Sequence, residues 1–191
     1  MKKTIFTIII FIGIAVLVFF LVKIAGGNII RDLTGQNNVQ KVDTNNISTG
    51  KLVGKKVPFF DLSSLTNERI KLGSYTDKPF VIVFWVSWNV ESANQLKILD
   101  EYIASTKNGD SLISIISINS QEEESVVRSF IRRGGYEVPI AIDSNGKATE
   151  DFNVKSLPMA FFIDRDGIVR EIYSGVMNKD IFMSKIEQLL K

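Results

Sequence analysis

Residues 81–92 read VIVFWVSWNVES, and the character of the chain changes halfway along them. The first six, VIVFWV, are an unbroken apolar run rich in β-branched and aromatic side chains, the pattern of a strand buried on both faces. Asn89 then offers a natural N-cap, because its side-chain oxygen can accept a hydrogen bond from a free amide in the first helical turn. Helical spacing follows, with Leu96, Leu99, Tyr102 and Ile103 falling on one face. Of the two tryptophans here, Trp85 reads as a packing residue, and Trp88 as either packing or a binding platform.

Downstream the alternation of strand and helix continues. Residues 112–118, LISIISI, read as a second buried strand. Ser120 and Glu123 have the spacing of a capping box. The helix they open should turn Val126, Val127, Phe130 and Ile131 inward and stop at Gly134 and Gly135. Glu122, Glu123 and Glu124 then read as a solvated helix start with one side chain engaged in capping, not as a metal cluster. A short strand at 140–143 and a brief helical stretch at 149–152 lead to Leu157-Pro158. Two further strands, 159–163 and 168–173, flank the polar Asp164-Arg165-Asp166-Gly167, which is a hairpin signal. A last helix from about Asn178 repeats Phe182, Ile186, Leu189 and Leu190 at helical spacing. A strand-helix-strand block, a hairpin and a closing helix predict an α/β domain whose central mixed sheet has helices on both faces.

Ahead of this domain, residues 4–22 form an uncharged apolar run, and about 20 such residues cross a hydrocarbon layer of ~30 Å. Lys2 and Lys3 precede it, which by the positive-inside preference keeps the N-terminus cytoplasmic and exports the rest. Ala25 and Gly27 would suit signal cleavage, but the run exceeds the ~7 to 15 residues of a usual signal core, so an uncleaved single-pass anchor in the cell membrane is expected. The predicted organisation is an anchor at 1–25, a flexible tether at 26–51 and a folded domain at 52–191. The tether is rich in Gly, Asn, Thr and Gln, and a flexible chain of its length spans roughly 25 to 30 Å.

Composition narrows the chemistry. The 191 residues include no cysteine and no histidine, so thiol nucleophiles, disulfides, Cys or His metal sites and imidazole catalysis are excluded together. No cofactor or metal is expected. Three of the 23 basic residues, Lys2, Lys3 and Lys23, belong to the anchor, whereas all 21 acidic residues lie beyond Ile30, which leaves the exported part near −1. No basic stripe is present to hold phosphate backbones, so nucleic acid is not an expected partner.

Phe84 to Ser92 resembles the active-site segment of thioredoxin-like proteins, in which a buried strand ends in W-C-x-x-C at the start of a helix. Trp88 matches the tryptophan, Asn89 stands at the first cysteine position and Ser92 at the second. The likeness begins at Gly54-Lys55-Lys56-Val57-Pro58-Phe59-Phe60 and runs through Leu157-Pro158-Met159-Ala160-Phe161-Phe162-Ile163-Asp164, similar to the cis-proline strand of those proteins. It continues to Tyr173-Ser174-Gly175-Val176-Met177, and overall is nearest to ResA/TlpA-type thiol-disulfide oxidoreductases, which are extracytoplasmic. That resemblance implies a thioredoxin-like fold and a cis bond at Pro158, which taken alone would be an ordinary proline at the first position of a strand.

The resemblance also defines what is missing. A helix N-terminus carries roughly half a positive charge and activates the first cysteine as a thiolate; the second cysteine resolves the mixed disulfide. Asn89 has no ionisable nucleophile, and Ser92 without a neighbouring base cannot replace a thiolate. Glu91, where proline is frequent in the family, would oppose a thiolate. The expected protein is therefore a degenerate member without catalytic residues. Its groove would comprise Trp88, Asn89, Val90, Glu91, Ser92, Leu157 and Pro158 and would hold a protein or extended peptide near the membrane, with the Leu157 backbone pairing to it by strand addition. Two other readings are an accessory to a cysteine-bearing redox partner, in cytochrome c maturation or disulfide exchange, and an enzyme of another kind using Glu91, Ser92 or a nearby acid in hydrolytic or proton-transfer chemistry.

Overall fold

The computed structural model describes residues 51–106 and 111–191. The anchor and, except for Lys51, the tether lie outside the described residues; among these, no helix is long and apolar enough to cross a membrane. The strands are β1 (Asp61–Ser64), β2 (Arg69–Lys71), β3 (Phe80–Trp85), β4 (Ser114–Ser120), β5 (Ile140–Asp143), β6 (Met159–Ile163) and β7 (Val169–Ser174). The helices are α1 (Val90–Ser105), α2 (Glu124–Gly134), α3 (Lys147–Asp151) and α4 (Lys179–Leu189), with a 3-10 turn at Leu72–Tyr75.

All seven strands form one sheet in the order β2-β1-β5-β4-β3-β6-β7. β3, β4 and β5 run parallel and the remaining pairs are antiparallel, which is the mixed sheet the sequence predicts. Successive side chains of β3 point to opposite faces. Val81, Val83 and Trp85 pack with Leu96 and Leu99 of α1, Val127 of α2, and Phe182 and Ile186 of α4. Phe80, Ile82 and Phe84 pack on the other face with Ala148 of α3, Phe152, Phe161 and Ile70. Because β3 is central, it is buried on both sides, as its unbroken apolar composition requires.

Several boundaries move. The second predicted strand lies two residues later, since β4 pairs Ser114 with Phe80 and Asn119 with Trp85, leaving Leu112 exposed ahead of it. The predicted capping box is absent. Ser120 still belongs to the sheet, opposite Asp143, and its hydroxyl accepts a hydrogen bond from Thr149 Oγ1 at 3.1 Å. α2 is capped instead by Glu123, which makes no side-chain cap bond. Starting the helix there buries Val127, half-buries Phe130 and Ile131, and turns Val126 to solvent. The predicted stop is observed: Gly135 takes a left-handed φ of 67°, and its amide and that of Tyr136 both reach back to Ile131 O.

Candidate functional site

The loop from β3 into α1 lies at the carboxyl ends of the parallel strands, where open α/β sheets bind their ligands. Asn89 is extended at φ −103° and ψ 121°, and its Oδ1 accepts from Ser92 N at 3.0 Å, so it is the N-cap read from the sequence. Its Nδ2 meanwhile donates to Leu157 O at 3.3 Å. One side-chain amide thus joins the helix start to the loop before β6. Ser92 is fully buried and its Oγ accepts from Val86 N at 3.4 Å. It lies beneath the surface instead of lining an open groove, which corrects its assignment to the binding face.

The Leu157-Pro158 bond is cis. Pro158 is buried, with its carbonyl accepting from Gly175 N at 2.9 Å, and Leu157 is half-buried. The expected approach of this proline loop to the helix start is therefore present. On the solvent side stand Trp88, 73% exposed, and Val90, 76% exposed, with Glu91 also exposed in the first turn of α1. Trp85 is wholly buried, its ring 5.5 Å from Phe130, which stacks in turn on Tyr136. Burial, with the Asp100 charge adding to it, raises the Tyr136 phenol above its ordinary pKa; the protonated hydroxyl donates to Ala93 O in α1 at 3.5 Å.

Four other residues organise the site. The Glu122 carboxylate receives the Ser87 amide and the Ser87 hydroxyl, each at 2.6 Å, together with Asn119 Nδ2 at 2.7 Å. This replaces the reading of Glu122 as part of a merely solvated helix start. Gln95, buried on the inner face of α1, accepts from Met177 N at 2.8 Å through Oε1 and so ties the β7–α4 connection to the same helix. A usable signal did exist. Asn119 is a polar residue inside a buried apolar strand, and Gln95 is one inside an apolar helix face, and buried polar groups need partners.

Chemically the arrangement offers little to a covalent reaction. Asn89 cannot ionise, and Ser92 Oγ faces an amide donor where activation would need a base. What remains is a surface of large exposed side chains beside a fixed backbone turn.

The AhpC/TSA family profile matches residues 53–172. The thiol-disulfide oxidoreductase ResA of Geobacillus kaustophilus is 30% identical over 142 residues, covering 74% of this chain and 80% of the relative. Among solved structures, the exposed lipoprotein thioredoxin of Streptococcus pneumoniae superposes with a TM-score of 0.62 at 25% identity, covering 69% of this chain and 100% of that one. A thioredoxin-family thiol:disulfide interchange protein of Chlorobium tepidum gives a TM-score of 0.63 at 16% identity over 71% and 96% of the two chains, a likeness of fold.

Proposed function

The chain belongs to the AhpC/TSA family, with a thioredoxin-like fold and relatives among the thiol-disulfide oxidoreductases, and from that premise we propose that it is a redox-inactive docking module of the family. It holds an extended protein segment against Trp88, Val90 and Leu157, on the outer side of the membrane in which residues 4–22 anchor it. The observation that carries this reading is the double engagement of Asn89. At the position of the family's first sulfur stands an amide that caps α1 and grips Leu157 O, which supports a site that keeps its shape without a sulfur.

The reading differs from an accessory role beside a cysteine-bearing partner in what is bound, not in what is catalysed. Binding to an array of immobilised extended peptides, with and without cysteine, separates them. The native chain should retain cysteine-free peptides, lose them on Trp88→Ala, and show no reduction of insulin disulfides. Asn89→Cys with Ser92→Cys should gain that activity, which shows the assay can see the fold at work. Retention restricted to cysteine peptides would favour the accessory role, and insulin reduction by the native chain would defeat the proposal.

A further inference from the structure

We propose that Glu122 is the positioning residue of the docking face: it clamps the turn between β3 and α1 so that Trp88 is held out toward the bound segment. The inference rests on the docking reading and assigns it a residue that touches none of the bound segment. It starts from an unusual concentration of donors. Ser87 gives Glu122 both its amide, to Oε2, and its hydroxyl, to Oε1, while Asn119 Nδ2 gives Oε2 a third bond. Two bonds from one residue to two oxygens fix its orientation as well as its position, and bonds to an ionised acceptor are roughly twice as strong as neutral ones.

The clamp is itself anchored to the sheet. Asn119 lies in β4 opposite Trp85 of β3, fully buried, and Gln121 at a left-handed φ of 57° turns the chain between them so that Glu122 follows the strand end closely. A rigid path therefore runs from the sheet through Asn119 and Glu122 to Ser87, the residue immediately before Trp88. Trp88 itself is 73% exposed. A large aromatic side chain that is already held in place loses little freedom on binding, which is the advantage of preorganisation. A carboxylate suits this task because it accepts from all three donors at once. Glutamine at 122 can keep the three contacts only by turning its NH2 to the Ser87 hydroxyl, which then accepts, and it gives up the charge that strengthens the other two.

The test uses the full-length chain in detergent micelles and compares Glu122→Gln and Ser87→Ala with Glu123→Gln, an exposed neighbour with no side-chain cap bond. Three quantities are read: exchange of the residue 87 amide, the fast anisotropy decay of the red-edge emission, where exposed Trp88 emits and buried Trp85 does not dominate, and retention on the peptide array. For Glu122→Gln the amide should exchange severalfold faster, as expected when its acceptor loses its charge. Local motion of Trp88 should rise and peptide retention should fall, with a thermal midpoint close to that of Glu123→Gln. Ser87→Ala, which removes only the hydroxyl link, should shift all three readings the same way by less. Unchanged exchange and anisotropy in Glu122→Gln would overturn the clamp and leave docking standing. Altered exchange with retention equal to Glu123→Gln would reduce Glu122 to a loop stabiliser and also overturn the inference. If Trp88→Ala retains peptides as the native chain does, the docking reading itself fails, and this role with it.

Discussion

Asn89 uses both ends of its side-chain amide, and the two ends can be separated by substitution. Asn89→Ala removes the cap and the link to Leu157 O together and should lower unfolding stability in urea by about 1 to 2 kcal/mol. Asn89→Asp keeps the capping oxygen and adds a charge that the helix N-terminus favours, but it puts an oxygen opposite Leu157 O. It should therefore lose less than alanine while freeing the 156–158 turn, seen as faster amide exchange there. An aspartate variant as unstable as alanine would mean that the Leu157 bond, not the cap, is the dominant contribution. Half of this was legible beforehand, since an asparagine between an apolar strand and an amphipathic helix is recognisable as a cap. The resemblance also places Leu157 beside Asn89, but the bond itself was not legible, because it joins residues 68 positions apart, and the Glu122 clamp, reaching 35 positions to Ser87, was hidden for the same reason. Local spacing carries information about one turn of helix, not about which loop a strand order delivers beside it.

Among the elements, the β6–β7 hairpin shows how a few polar residues fix a turn. Asp164 Oδ1 accepts from Asp166 N and Ile168 N, both at 2.9 Å, and Oδ2 pairs with Arg170, while Gly167 takes the left-handed φ of 71° that closes the loop. Burial opposes ionisation of this carboxyl, yet the Ile168 amide, the Arg170 guanidinium and the Asp166 amide together hold its pKa below the ordinary value. A folded pKa below the unfolded one means a stabilising contribution that is complete above the ordinary aspartate value of about 3.9 and is lost as pH falls through the lower folded value. Asp164→Asn can keep both amide bonds through its single oxygen and should cost only about 0.5 to 1 kcal/mol at neutral pH. It should also remove this residue's share of the acid-side slope in a stability profile from pH 2 to 6. Asp164→Ala should cost about 2 to 3 kcal/mol by leaving the turn amides without their acceptor. The hairpin was readable because its signals are adjacent in sequence. β1 and β2 were not, being short and largely polar, Asp61–Ser64 and Arg69–Lys71, and recognisable as strands only through pairing with β5 and with each other. The start of α2 was misplaced because sheet pairing kept Ser120 in β4 when local spacing favoured a cap.

For the whole molecule, the proposed anchor makes a simple prediction: alkaline extraction should leave the full-length chain in the membrane pellet, and deletion of residues 4–22 should release it. Recovery of the intact chain in the soluble fraction would remove the membrane from the proposal. The sheet also defines two poles. α1 begins beside the end of β3, where Trp85 is followed by the docking turn, whereas Phe80 at the start of β3 pairs with Ile163 at the end of β6, so the β6–β7 hairpin lies at the opposite pole. The first described residues are fastened there. Gly54 N donates to Val169 O, Val169 N to Lys55 O and Val57 N to Gly167 O, at 2.8 to 2.9 Å, with Lys56 bridging Ile168. A pull entering residue 54 thus acts on bonds to the β6–β7 hairpin at Gly167 and Val169, beside Leu52 and Val53, which pack against the core. On the proposed docking and anchoring, load reaching the domain through residue 54 would fall on the pole remote from Trp88, and the grip on a bound segment would be spared its first effect.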